Sequence, residues 1–159
     1  MSISVRYHNN EQDAMNVLNE AFFKILTKLG QFNVENSFKA WCRTILINTI
    51  ISEHRKNKAY INSMAPTDFE IETGSLEGWE YDEINEQIDA AFLQSKIDEL
   101  KEPEKTIFNL FALEGYSHKE ISKLIDLPEG TSKWHLSKAR KKLKAIVLRA
   151  IELTNVVSL

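Results

Sequence analysis

Cysteine is almost missing from this chain. Cys42 is the only one in 159 residues, which excludes an intrachain disulfide and a zinc site built on several cysteines. It falls on the apolar side of a helical pattern, beside Trp41 and Ile45, and suits a small core residue better than a nucleophile. Long apolar runs are missing as well. The longest, Ile45–Ile51, is too short for a membrane span and contains Asn48 and Thr49. No N-terminal signal pattern is present, and the chain reads as cytoplasmic. No strand-period segment or internal repeat stands out. His8, His54, His118 and His135 are scattered, with no nucleophile, metal set or phosphate loop around them. An enzyme therefore has little support, and no metal or cofactor is implied.

Charge of one sign is missing from particular stretches rather than from the whole. The net charge is only −3, so the chain is not a basic nucleic-acid binder throughout. From Asp68 to Asp89 there are nine acidic residues and no basic one. From Thr131 to Ala150 there are seven basic residues (Lys133, Lys138, Arg140, Lys141, Lys142, Lys144, Arg149) and no acidic one. A solvated helix normally mixes signs, because like charges four apart oppose it. An uncompensated basic face is the footprint of a helix that meets phosphate.

The local context of that basic run is helix, tight turn, helix. Ser117 and Glu120 form a capping box, with Tyr116 and Ile121 placed as a hydrophobic staple. Ile121, Leu124 and Ile125 give an apolar face. Asp126 to Gly130 breaks the period, and Pro128 fits the first turn of a new helix. That helix turns Leu136, Ala139, Leu143, Ile146 and Val147 inward. This is the form of a helix-turn-helix docking on duplex DNA.

Upstream, Asn10 caps a helix whose stripe runs through Ala14, Val17, Leu18, Ala21, Phe22, Ile25, Leu26 and Leu29, all predicted inward. Gly30 is the expected left-handed terminator. Phe32 in the following polar loop suits a core plug. The next helix, from about Ser37 to Lys56, is apolar on two sides: Phe38, Trp41, Cys42, Ile45 and Leu46 on one, Ile47, Ile50 and Ile51 on the other. One helix before it is not enough cover. An upstream helix or another chain is expected over Ile47–Ile51. Ala59 to Tyr81 reads as an acidic linker. The helical period returns through Ile84, Ile88, Ala91, Phe92, Ser95 and Leu100. A further helix starts at Pro103 with Ile107, Phe108, Leu110, Phe111 and Leu113 inward and stops at Gly115. The expected fold is all-α: two small helical domains joined by an acidic tether.

These residues resemble the bacterial RNA polymerase sigma factors of the extracytoplasmic-function type, within the sigma-70 superfamily. Arg6-Tyr7 through Asp13-Ala14, Phe22, Phe32, Phe38-Lys-Ala-Trp41, Ile45 and Asn48 to Arg55 are similar to the promoter-melting domain. Leu100-Lys-Glu-Pro-Glu, Phe111-Ala-Leu-Glu-Gly-Tyr-Ser-His-Lys-Glu-Ile and Pro128-Glu-Gly-Thr through Ala139-Arg-Lys-Lys-Leu143 are similar to the minus-35-binding domain. The resemblance implies residues 1–58 as region 2, 59–83 as linker and 84–159 as region 4. The family's usual leading helix of region 2 has no counterpart ahead of Arg6-Tyr7.

The resemblance also implies roles. Asp13, Asn16, Asn19 and Glu20 occupy the polar positions that dock on the polymerase clamp; the family more often has Asp and Gln where this chain has Asn16 and Asn19. Phe32 and Asn33 become pocket residues for a flipped minus-10 base, with Asn48, Ser52 and Arg55 near it. Lys133, Trp134, His135, Ser137 and Lys138 fall where the minus-35 element is read. Arg140, Lys141 and Lys142 hold phosphates. Trp134 stands where the family has a small residue, and Asp126 where it often has Gly. The implied function is a transcription initiation factor that carries core RNA polymerase to promoter DNA and assists melting, with an anti-sigma factor as a further partner. No membrane insertion or small-molecule substrate is implied. The alternative is a helix-turn-helix regulator that binds duplex DNA without polymerase.

Overall fold

In the computed structural model, residues 3–8, 10–56 and 90–157 are described, without the side chains at 56, 90 and 151–157. The linker and the start of the helical period at Ile84 and Ile88 lie outside the described residues.

A short 3-10 turn, Ser4–Tyr7, leads into α1, Glu11–Lys28. α1 begins where its cap predicts, the Asn10 side chain accepting from the Asp13 backbone N–H at 2.8 Å. Its end differs from expectation. Leu29 stays in right-handed helical geometry and the chain runs on as a 3-10 turn, Leu29–Gln31. Gly30 supplies no left-handed residue, because Phe32 bonds back to the Leu29 carbonyl and the chain needs no reversal there.

The stripe of α1 is also split. Ala14, Val17 and Ala21 are buried, while Leu18, Phe22, Leu26 and Leu29 are exposed, together with Met15 and Phe23. The neighbouring helix, α2 (Phe38–Lys56), takes only the small-residue side of α1.

The second half has four helical pieces. α3 is Ala90–Asp98. α4, Glu104–Phe108, widens into a π-type turn over Asn109–Leu113. Leu113, expected inward, is exposed on that widened turn. Gly115 takes φ 79 and stops it, and the Tyr116 N–H reaches back to the Leu110 carbonyl at 2.9 Å. α5, His118–Ile125, opens with the full capping box of Ser117 and Glu120. Asp126 then adopts left-handed geometry, φ 56, which Asp tolerates better than most residues. α6 is Glu129–Val157. α3 packs on α6 through Ile97, Leu100, Ala139 and Leu143. No strand occurs among the described residues, and the fold is all-α with two helical units.

The two units share one core. Tyr7, Val17, Ile47, Ile50 and Ile51 cluster with Ile107, Leu110, Ile121, Ile125, Leu127 and Leu136. The Ile47–Ile51 face, expected to wait for an upstream helix or another chain, is thus covered by the second half of its own chain. Each fully buried isoleucine contributes roughly 1.5–3 kcal/mol, so this seam is substantial. Polar contacts close it further. The Glu114 side chain is 0% exposed and sits between the guanidiniums of Arg6 and Arg43. Arg43 also donates to the Leu113 carbonyl at 3.1 Å, and Asn109 to the Arg6 carbonyl at 3.0 Å. A carboxylate this deep requires cations beside it.

Candidate nucleic-acid interface

The lysines of α6 fall into two rows. Helical register puts positions 133, 137, 141 and 144 on one side and positions 134, 138 and 142 on another. Lys133, Lys141 and Lys144 are exposed, and the structure gives them no ion pair among the described residues. The second row faces α4. Lys138 Nζ lies 3.1 Å from one oxygen of Glu104 and Lys142 Nζ 2.6 Å from the other. Lys138 also stands 4.7 Å over the Trp134 ring. Arg140 is half-buried against Phe111, 5.4 Å from its ring centre.

His135 differs most from its expected place. It is only 6% exposed, turned inward beside Trp134 rather than outward to a groove. Burial pushes its imidazole down to about 4, Glu104 opposing and Lys138 and Lys142 adding to the shift. It is therefore neutral at ordinary pH. The reason for its placement is geometric: α6 packs on α4 along the side that carries 135, 139 and 142. Ser137 is half-buried on the outward row. His118 of α5 stacks on Phe111, and its Nδ1 lies 2.8 Å from the Ser132 hydroxyl, which ties the start of α6 to the preceding helix.

In the first half, Phe32 packs between Phe38 and Trp41, with ring centres 5.3 Å from each. This small aromatic cluster is partly open, since Phe32 is half-buried and Phe38 exposed. Asn33 is exposed beside it, its side-chain oxygen accepting from the Glu35 N–H at 3.0 Å. Asn48, Ser52 and Arg55 continue the Trp41 side of α2 at helical spacing. Asn48 and Ser52 are exposed. Arg55 reaches across the seam toward Asp126 in the turn before α6, 3.8 Å away. Three of the expected minus-10 residues thus share one side of α2, with Phe32 and Asn33 in the loop before it, and Arg55 touches the other unit.

Asp13, Asn16, Asn19 and Glu20 are all exposed on α1. Their mutual spacing keeps them on one face. Asn16 accepts from Gln12 at 3.2 Å, and Glu20 pairs with Lys24 at 2.7 Å.

Sequence reasoning missed Glu104, Glu114, Arg6 and Arg43 as a set. Only one faint signal pointed at them: Arg43 is a cation set directly among the apolar positions Trp41, Cys42, Ile45 and Leu46 of α2.

Comparisons with known proteins agree with this architecture. The sigma-70 region 2 family matches residues 1–60, and the sigma-70 region 4 family matches residues 93–143. A sigma-H factor of RNA polymerase from Pseudomonas aeruginosa is 27% identical over 152 residues, spanning 89% of this chain and 76% of the relative. The extracytoplasmic-function sigma-E factor of Haemophilus influenzae is 25% identical, over 85% of this chain and 75% of its own. The fold is also that of the sigma factor RpoE from Bartonella quintana, solved with the anti-sigma factor NepR; the TM-score is 0.56 at 19% identity, over 92% of this chain and 88% of that one. With both regions present in order on one all-helical chain, the protein belongs to the sigma-70 family, as a factor of the extracytoplasmic-function type.

Proposed function

We propose that this chain recognises a two-part promoter with its two helical units, the region-4 unit (84–159) on duplex minus-35 DNA and the region-2 unit (1–58) on the melted minus-10 strand, with 59–83 as the tether. Family membership makes it a transcription initiation factor that directs RNA polymerase. It acts by binding and positioning, not by covalent chemistry, and it works in the cytoplasm, where its polymerase is. The observation that carries this reading is the pairing of region 2 with region 4 on one chain. A stand-alone duplex-binding regulator has no use for the first of these.

The roles divide by row. Lys133 and Ser137 face the minus-35 groove, and Lys141 and Lys144 the phosphates. His135 acts indirectly, by packing α6 on α4. Phe32, Asn33, Asn48, Ser52 and Arg55 line the path of the unstacked strand, where a pocket for a base and a cation for its backbone are needed. Asp13, Asn16, Asn19 and Glu20 meet the polymerase, and an anti-sigma factor competes for part of these surfaces.

Distance then requires opening. The two promoter elements stand about 25 base steps apart, or roughly 85 Å at about 3.4 Å per step. Two units that share a core do not reach that far. The 33 residues from 57 to 89 span roughly 110 Å when extended, which is enough. The seam therefore parts when polymerase takes up the chain.

Run-off transcription with purified core polymerase and genomic fragments tests the reading. Discrete transcripts that require the chain are expected, with weak DNA binding by the chain alone. Tight, sequence-specific duplex binding without polymerase, and no transcript with it, would overturn it.

A further inference from the structure

Of the seven cations on α6 between 131 and 150, two are paired with a buried carboxylate of the protein itself, and a third, Arg140, lies over the Phe111 ring. Glu104 is the first residue of α4, with a side chain only 5% exposed, and each of its oxygens holds one lysine, Lys138 and Lys142. Its position is fixed by burial and by the helix N-terminus it opens, which favours a carboxylate. The carboxylate cannot follow a departing lysine to the surface. The lysines, by contrast, are 46% and 42% exposed and have stems long enough to swing outward. Trp134 closes the third side around Lys138.

We propose that Glu104 is a specificity-determining residue: it acts as an internal stand-in for phosphate that keeps Lys138 and Lys142 off DNA and leaves contact to the outward row, Lys133 at the groove and Lys141 and Lys144 at the phosphates. This rests on the minus-35 reading of α6. Phosphate contacts give affinity without sequence information. A factor that holds back two of them binds arbitrary duplex more weakly and leaves the choice of site to the outward row. Swinging either lysine to a phosphate would leave a buried carboxylate half-compensated, which opposes the exchange.

The test is the salt dependence of binding to a short duplex of arbitrary sequence, read by fluorescence anisotropy on the full chain. Each phosphate neutralised adds about 0.9 to the slope of log K against log salt. Glu104→Gln keeps the shape and removes the charge. Its slope is expected to steepen by about 0.9–1.8, for one or two phosphates gained, so the ratio of Kd at 200 mM to that at 50 mM salt rises roughly 3- to 12-fold. Lys138→Ala and Lys142→Ala singly are expected to leave the wild-type slope unchanged. An unchanged slope in a folded Glu104→Gln protein overturns the proposal. So does a flattened slope in either lysine variant, and that arm stands even if the glutamine variant does not fold. Lys133→Ala with Lys141→Ala separates the two ideas: a flatter slope upholds the DNA face, whereas no change means that α6 does not meet DNA, and the minus-35 reading itself falls.

Discussion

His54 and His135 are the imidazoles that the fold shifts most. Both lie at about 4, burial being the main cause, with the neighbouring His8 adding to the shift at His54. The unfolded value is near 6.5, so the fold holds the neutral imidazole. Their contribution to stability is complete above about pH 6.5 and is lost as pH falls toward the folded value. Glu102 works in the opposite sense: burial raises its carboxyl, so its contribution is present in acid and is lost as pH rises through the folded value. We expect the urea midpoint of the wild type to fall between pH 7 and pH 4. A His54→Asn, His135→Asn variant should fall less steeply over the same range; an equally steep fall would place the response elsewhere.

Among the elements, α2 shows what one sequence can and cannot reveal about itself. Its two apolar sides were legible from the spacing of Phe38, Trp41 and Ile45 and of Ile47, Ile50 and Ile51. What covers them was not, because helical periodicity reports that a face is buried, not against what. The same limit explains α1, where Leu18 and Phe22 read as core but are exposed. The caps at Asn10 and Ser117 and the turn at Asp126 were legible because their partners lie within four residues. Lys142 and Glu104 are 38 positions apart, and Arg43 and Glu114 are 71 apart, so only the folded chain pairs them. The rows of α6 were present in the sequence, but only Glu104 distinguishes their tasks. The burial difference has a direct check. Ile50→Ala is expected to cost about 2–5 kcal/mol, whereas Leu26→Ala on the exposed side of α1 stays within about 0.5 kcal/mol. Urea unfolding compares them, and equal losses would contradict the placement of these helices.

For the molecule as a whole, the seam between the units is the decisive contact. Removing its cations with Arg6→Met and Arg43→Met leaves Glu114 buried without compensation, a loss of about 3–5 kcal/mol at the seam. The expected outcome is separation of the units rather than global melting. The radius of gyration from small-angle scattering should rise, while the helical circular dichroism signal stays near that of the wild type. Unchanged scattering would mean that the isoleucine cluster alone holds the units together. The same variant is expected to need less polymerase for half-maximal transcription, because part of the opening has already been done.

The bare flank of α1 has a consequence for dosage. Phe22, Phe23, Leu26 and Leu29 are each about half exposed or more, next to Met15 and Leu18, and a contiguous apolar ridge of this kind drives soluble proteins to associate. Chains produced faster than a companion takes them up therefore meet one another first. Matching supply to demand is then expected to hold such chains apart, and light scattering against rising concentration checks it.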